Sequence, residues 1–397
     1  MEQELKDLTT QMENVELTEK QKGKLQKKYD KLKGKFDREQ ELKKQQELAA
    51  LNDVSKDRYG DLPLNQSQSK SNTVYCKFSE LEKQLNSQVT FIGRIHLIRG
   101  KGKMVFVVLR QGYETLQCII QQSEAISKLM LKFIQQQQSE TLVKIMGTVT
   151  SAEVNGCTLQ TVEVSIENFF IFSKLKRELP FTIEQASVNE NDTDNLQSKV
   201  NLDTKLNNRV LDLRTITNHA IFKIQSMCCL LFRDYLINLD FIEIHTPKLN
   251  GNASEGGASV FKVQYFQKDA FLAQSPQLYK QMMICSDFNR VFEIGPVFRS
   301  ENSQTHRHMT EFMGLDLEMS FNEHYDEVVD VIGNCLMYIF DQLAIKCPRE
   351  LEIINKQHSF TPLVYKYKNS FLRLNFSEGI QMLQSNGVAI KDNEDIK

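Results

Sequence analysis

The sequence predicts an α+β chain of several domains: a basic helix, then a small β-barrel, then a longer segment mixing strands and helices. Three patterns carry that prediction. Lysines recur at helical spacing between residues 20 and 38, period-two alternation runs from about 75 to 173, and after 213 amphipathic helices alternate with strand signals. A length of 397 residues favours two or three domains, and 41% hydrophobic with 25% charged residues is ordinary for a globular chain with a sizeable core. No stretch approaches the ~18 uninterrupted apolar residues of a membrane helix; the most apolar run, 335–345, is broken by Asp341. The N-terminus has neither the apolar core nor the Arg/Ser-rich pattern of an export or import signal, so a cytoplasmic address and no membrane partner are expected. Eight scattered cysteines without C-x-x-C spacing read as reduced, mostly buried thiols.

The leading segment, 1–52, is expected to be a Lys-rich helical extension. Nine basic residues from Lys20 to Arg38 face only Asp30 and Asp37, although the whole chain carries −2. Thr18 with Gln21 suggests a capping box. On a helix, Lys24, Lys27, Lys28, Lys31 and Lys35 share one face, and Leu25, Tyr29, Leu32 and Phe36 share the next. Such a stripe suits an anionic polymer; a solvated charged helix or short coiled-coil piece fits the same pattern. Residues 53–74, rich in Asn, Gln, Ser and Asp, read as a linker.

Within 75–174, strands are expected at 89–97, 104–109, 115–120, 142–149 and 158–172, with a helix at 123–137. Three strands, a helix and two more strands form the element order of an OB-fold barrel. Such barrels bind single-stranded nucleic acid by stacking bases on aromatics and pairing phosphates with basic side chains. Phe106 and Arg99 are the candidates, though a lone Phe in a barrel is more often core. Residues 175–212 are polar and read as a hinge. The remaining segment, 213–397, contains neither G-x-G-x-x-G nor a P-loop.

Three clusters there point to chemistry: Phe241-Ile-Glu-Ile-His-Thr-Pro247; Ser254-Glu-Gly-Gly257 with Gln274-Ser-Pro-Gln-Leu-Tyr-Lys280; and Phe298-Arg-Ser-Glu301, Thr305-His-Arg-His308, Glu311-Phe312 and Gly314-Leu-Asp-Leu-Glu318. The third reads as two strands, Arg290–Phe298 and Glu311–Met319, joined by a charged loop. Arg299 offers a fork suited to phosphate, Phe312 a ring for a purine, and Asp316 and Glu318 share one strand face. His306 and His308 lack a third ligand at useful spacing, so no metal site is expected within this chain.

These clusters resemble motifs 1 and 2 of the class II aminoacyl-tRNA synthetases. In particular, F-R-x-E with (H/R)-x-x-x-F is matched by Phe298, Arg299, Glu301, His308 and Phe312. The Ser254, Gln274 and Thr305 stretches closely resemble the cytosolic aspartyl type of eukaryotes, subclass IIb. The resemblance implies an OB-fold anticodon-binding domain and an antiparallel-sheet catalytic domain. It also implies an aspartate–tRNA ligase that activates L-aspartate with ATP and loads it onto tRNA-Asp as a homodimer, Pro247 lying at the dimer interface. By the same resemblance, Arg299 would be catalytic at the α-phosphate, and Glu301, His306, Arg307, His308 and Phe312 would bind ATP. Glu255, Ser275, Gln277, Lys280 and Asp316 would bind aspartate, with Lys280 discriminating its side-chain carboxylate. Lys24, Lys27, Lys28, Lys31, Arg99, Phe106 and Gln117 would bind tRNA. Class II enzymes also carry a motif 3, G-x-G-x-x-R, and no such run lies between Gly314 and Lys397. The acidic ligands of Mg²⁺ are therefore expected downstream of this chain, which is expected not to complete activation alone. The alternative is a non-catalytic tRNA-binding relative.

Overall fold

In a computed structural model, the structure describes residues 4–5, 19–68, 70–189, 199–253, 260–303, 305, 308–361 and 371–391. The chain divides into two units, Met1–Leu179 and Pro180–Lys397.

The first unit begins with helix α1 (Glu19–Leu51), which runs well past the basic stretch that predicts it. Lys24, Lys27, Lys28 and Lys31 are exposed, and Leu25, Tyr29, Leu32 and Phe36 are half-buried. Thr18 of the expected capping box lies outside the described residues. Next comes a short strand, β1 (Tyr59–Asp61), and then β2 (Gln88–Lys101), β3 (Met104–Gln111), β4 (Glu114–Gln121), helix α2 (Lys128–Gln135), β5 (Leu142–Ser151) and β6 (Val162–Ser173). The strand order β1-β6-β4-β3-β2-β5, closed by β6 pairing with β5, makes β2–β6 a five-stranded barrel. Alternation decides what fills it: Val105, Val107 and Leu109 of β3 point inward with Leu116, Cys118 and Ile120 of β4, all at most 1% exposed. Helix α2, capped by Ser127 accepting from the Met130 N–H, closes one end with Met130, Leu131 and Ile134.

The expected linker is partly built into this barrel. β1 pairs in parallel with β6, Tyr59 opposite Phe169. The Asp53 carboxylate accepts from the Ser55 N–H (2.9 Å) and the Tyr59 hydroxyl (2.6 Å). Burial works against the charged form of Asp53, yet hydrogen bonds from Ser127, Tyr59 and Ser55 outweigh it and hold the carboxyl below its ordinary range. Burial and the bond to Asp53 push the Tyr59 phenol up to about 12.

The second unit contains α3 (Ile216–Ile237), β7 (Ile242–Glu243), β8 (Leu249–Asn250), β9 (Lys262–Tyr265), β10 (Lys268–Leu272), α4 (Gln277–Cys285), β11 (Arg290–Phe298), β12 (Glu311–Met319), α5 (Asp326–Lys346), α6 (Pro348–Gln357) and α7 (Phe376–Ser385). Part of the expected hinge belongs here. Ile183 and Ala186 are buried, and the Gln357 amide donates to the Ala186 carbonyl at 3.2 Å. Sheets β12-β11-β7 and β8-β10-β9 form its β structure. Under the first lies a core of Phe232, Leu236, Phe241, Phe292, Cys335 and Ile339. By length and composition α5 could cross a membrane, contrary to the sequence expectation, but Cys335, Ile339 and Leu343 place one face of it in this core. All eight cysteines are free. Burial raises the thiol of Cys335 to about 11, which keeps it protonated and unreactive.

Two predictions follow from the barrel. Arg110 and Glu140 are both over nine-tenths buried and meet through two bonds of 2.6 and 2.8 Å. Arg110→Leu strands a buried carboxylate and should cost about 3–5 kcal/mol in urea unfolding of the barrel, whereas the double change to Leu should cost far less. The Tyr59–Asp53 contribution should be full between the two ordinary values and fade as pH rises through about 12 or falls through the lowered Asp53 value. Tyr59→Phe should flatten the alkaline limb of stability against pH.

Candidate active site and nucleic-acid interface

Strands β11 and β12 keep the bounds expected from sequence and form an antiparallel ribbon, with Glu293 opposite Asp316 and Gly295 opposite Gly314. Period two gives the ribbon two faces. Phe292 and Ile294 with Leu317 and Met319 turn to the core. Glu293, Gly295 and Val297, with Phe312, Gly314, Asp316 and Glu318, share the other face by register. The facing glycines form a bare floor on it. A Cβ on Gly314 would lie 2.7 Å from Asp316 Oδ2, and one on Gly295 would lie 3.1 Å from Lys248 Nζ.

The amine of Lys280, on α4, reaches this face and is 7% exposed, so it is a buried cation rather than a solvated one. Its Nζ stands 3.4 Å from Asp316 Oδ1, 3.5 Å from Glu318 Oε2 and 3.2 Å from the Leu317 carbonyl oxygen, to which it donates. A second ammonium flanks the floor. Lys248 Nζ lies 2.9 Å from Glu293 Oε1, and Glu293 also accepts from the Thr246 N–H and hydroxyl at 2.9 and 2.7 Å. Each carboxylate of the face is thus countered by a lysine, as burial of charge requires. The Arg233 fork grips Glu243 through two 2.8 Å bonds, which hold that carboxyl below its ordinary range and fasten β7 to α3.

Of the expected ATP residues, Arg299 is exposed, with its guanidinium carbon 5.7 Å from the centre of the Phe312 ring. Beyond the ribbon's end, the Arg299 N–H donates to the Thr310 carbonyl at 3.0 Å. His308 Nε2 lies 3.3 Å from Glu301 Oε2, and His308 Nδ1 lies 2.7 Å from the Thr305 hydroxyl. Gln277 opens α4 exposed, and half-buried Ser275 precedes it. Pro247 is exposed. Glu255, His306 and Arg307 lie outside the described residues. Sequence reasoning assigned no role to Lys248, Thr246 and Glu293, and did not name Glu318 as a site residue. An acid inside the otherwise apolar run after Arg290 was the available signal for Glu293. Among the described residues no group of three or more His, Cys, Asp or Glu is arranged to hold a metal ion.

In the barrel unit, Phe106 is half-buried between fully buried Val105 and Val107, so it faces away from the core and the core alternative does not hold. Its register partner across β2 is Arg99. Both line an outer cavity of about 630 Å³ together with Gln117, His96, Asn155 and Gly156. The Gln117 amide donates to Glu163 at 2.9 Å.

A chain that carries both a β-barrel of OB type and an antiparallel ribbon with Phe312 on it and Arg299 and Glu301 just past its end defines a tRNA synthetase of class II. Residues 201–396 match the family "tRNA synthetases class II (D, K and N)", and residues 89–172 match "OB-fold nucleic acid binding domain". The chain is 42% identical to the cytoplasmic aspartate–tRNA ligase of Homo sapiens over 363 residues, 90% of this chain and 72% of that one. The aspartyl-tRNA synthetase of Entamoeba histolytica superposes with a TM-score of 0.74 at 40% identity, covering 86% of this chain and 69% of that one. Asparaginyl-tRNA synthetase from Pyrococcus horikoshii, solved with asparaginyl-adenylate, gives 0.68 at 25% identity over 83% of this chain and 70% of its own. The chain belongs to the cytoplasmic-type aspartate–tRNA ligase family.

The glycine floor generates a test. Gly314→Ala must push aside the Asp316 carboxylate, which the resemblance implies would bind the ligand, and a displacement of about 1 Å at such a group can cost ~10²-fold. Calorimetric titration with the sulfamoyl analogue of aspartyl-adenylate should show a loss of roughly that size with an unchanged melting temperature.

Proposed function

We propose that the site on this chain serves the joining of L-aspartate to ATP, giving aspartyl-adenylate and pyrophosphate, and the passage of the aspartyl group to the 3′ end of tRNA-Asp. Without the G-x-G-x-x-R run these 397 residues are expected to bind the adenylate but not to complete activation alone. The observation that carries the substrate is the buried Lys280 amine held against Asp316. In the reaction the α-carboxylate of aspartate attacks the α-phosphorus of ATP and pyrophosphate leaves. A tRNA hydroxyl then attacks the activated carbonyl and AMP leaves. Neither step needs an enzyme-bound covalent intermediate, so position and charge supply the rate. Aspartate would take Lys280 with its side-chain carboxylate and Asp316 with its α-ammonium; Gln277, Ser275 and Glu255 complete the proposed pocket. Arg299 would neutralise the α-phosphate. Phe312 would stack on adenine, beside Glu301 and the loop residues His306, Arg307 and His308. A base between two groups needs about 7 Å, two contacts of ~3.5 Å. At 5.7 Å from the Phe312 ring the Arg299 guanidinium leaves too little room for a base between them, so adenine on that face of the ring would require Arg299 to move off it. The family uses ATP and typically Mg²⁺; in this site Glu293, Asp316 and Glu318 are engaged by lysines and Glu301 by His308.

Arg99, Phe106 and Gln117 would read an anticodon base in the barrel cavity, Phe106 by stacking. Lys24, Lys27, Lys28 and Lys31 would add salt-sensitive affinity for the RNA backbone. The exposed apolar residues Ile221, Phe222, Leu230 and Ile237 of α3, with Pro247, are the proposed homodimer face. The named relatives support a cytoplasmic location.

The test is binding of the two adenylate analogues. The chain should bind the aspartyl analogue at least ~10³-fold tighter than the asparaginyl one, because the latter leaves a buried ammonium one carboxylate short, with Glu318 alone beside it. Lys280→Leu should erase that preference. Equal affinity of the unaltered protein for both analogues would sink the substrate assignment.

A further inference from the structure

The barrel unit carries a second cavity, of about 280 Å³, which the proposed base-reading residues do not line. Its walls come from two segments. One is the turn after α2, contributing Gln136, Gln138 and Thr141; the other is the chain leaving β6, contributing Lys174, Lys176 and Arg177. Glu178 also lines it, so three cations face one carboxylate. None of the three cations forms an ion pair with another described residue. The second observation is independent of charge. Thr141 is 1% exposed, and its hydroxyl oxygen is buried with no hydrogen-bond partner. An unmet buried hydroxyl is costly, and here the residue that bears it lines a basic cavity.

The turn is rigid for a visible reason. Glu140, at φ +68°, is pinned by Arg110, and Arg94 donates to its carbonyl at 3.1 Å. The Ser139 hydroxyl donates to the His96 carbonyl at 3.1 Å, and His96 lines the base-reading cavity. The same turn therefore lines one cavity and is tied by a hydrogen bond to a wall residue of the other.

We propose that this second cavity binds a backbone phosphodiester of the RNA strand whose base enters the neighbouring cavity. Lys174, Lys176 and Arg177 neutralise the phosphate, and the Thr141 hydroxyl donates to one of its oxygens. The proposal rests on the RNA-binding reading of the barrel.

Anisotropy of labelled tRNA-Asp with the full chain, from about 50 to 200 mM KCl, tests it. Lys174→Ala/Lys176→Ala/Arg177→Ala should raise Kd about tenfold and make the slope of log K against log salt shallower by about one, as one lost phosphate contact requires. Thr141→Val should weaken binding about fivefold with the slope unchanged. Its melting temperature without RNA should hold or rise, because an unsatisfied polar atom is gone; a purely structural threonine would move the melting temperature and leave Kd alone. Phe106→Ala separates the two readings, since it should lose discrimination against altered anticodons while keeping the salt slope. If the unaltered chain fails to bind tRNA at all, the functional reading fails and takes this inference with it. If it binds and the triple variant matches it in Kd and slope, the phosphate site alone is overturned. Broadening of the ³¹P signal of inorganic phosphate by the free protein, lost in a triple variant that still binds tRNA normally, would assign the cavity to free phosphate and overturn the RNA assignment.

Discussion

One ammonium governs the second unit. Lys280 is buried, and a buried lysine is tolerable only where carboxylates stand beside it. Asp316 and Glu318 supply them, and they can do so because residues two apart on a strand share a face. This pairing constrains what the site can accept. In the proposed reaction, aspartate brings both a carboxylate and an ammonium. Lys280 can exchange Asp316 for the ligand carboxylate while Asp316 takes the ligand ammonium, and the balance of buried charge is unchanged. Asparagine brings the ammonium alone, so the exchange leaves one partner short. Selectivity then comes from charge bookkeeping inside the protein and needs no steric barrier between two side chains of nearly equal size.

The ribbon that presents these groups is stable because its other face is apolar. Phe292, Ile294 and Leu317 lie against the helices in the core, while the residues between them carry charge or nothing at all. The glycine pair explains how side chains as long as Glu293 and Asp316 lie flat: each leans over the glycine two positions along its own strand. Lys248 and Thr246 brace Glu293 from the chain that follows β7, next to Pro247. Any movement of that segment is felt two bonds away at the floor of the site.

What the sequence made legible was periodic or local. β12 matches its expected bounds because apolar and polar residues alternate through its second half, and β11 because an apolar run is closed by Arg290 at one end and Arg299 at the other. The barrel strands lie within a few residues of their expected bounds because inward and outward residues alternate along them. β1 was not, since three residues paired in parallel leave no period to detect, and what holds them is the Asp53–Tyr59 bond between neighbours of unremarkable type. α1 outruns its lysine stripe because the charged, Gln-rich stretch that follows has no helix breaker before residue 52. The Lys248–Glu293 pair joins residues 45 positions apart, and nothing in either neighbourhood announces the other. Arg110 and Glu140, on β3 and in a turn, were hidden in the same way. Phe106 shows the opposite case: alternation within β3 already implied that it faces away from Val105 and Val107, but the inward face of a barrel cannot be chosen until the strands are paired.

The buried Arg110–Glu140 pair links structure to recognition in the first unit. Such pairs seldom add stability over an apolar equivalent, and what this one visibly fixes is shape. Here the shape is a turn with a left-handed Glu140 and a carbonyl ladder running to β2, one side toward His96 and the other toward Lys174 and Arg177. Holding that turn fixes the spacing between a place for a flat ring and a place for a phosphate. A single-stranded nucleic acid offers these two groups at a spacing set by its own sugar. Stacking is nearly indifferent to salt, whereas phosphate contact is not. A barrel that separates the two functions into neighbouring cavities can tune sequence preference and overall affinity independently, and the rigid turn keeps both in step with one nucleotide.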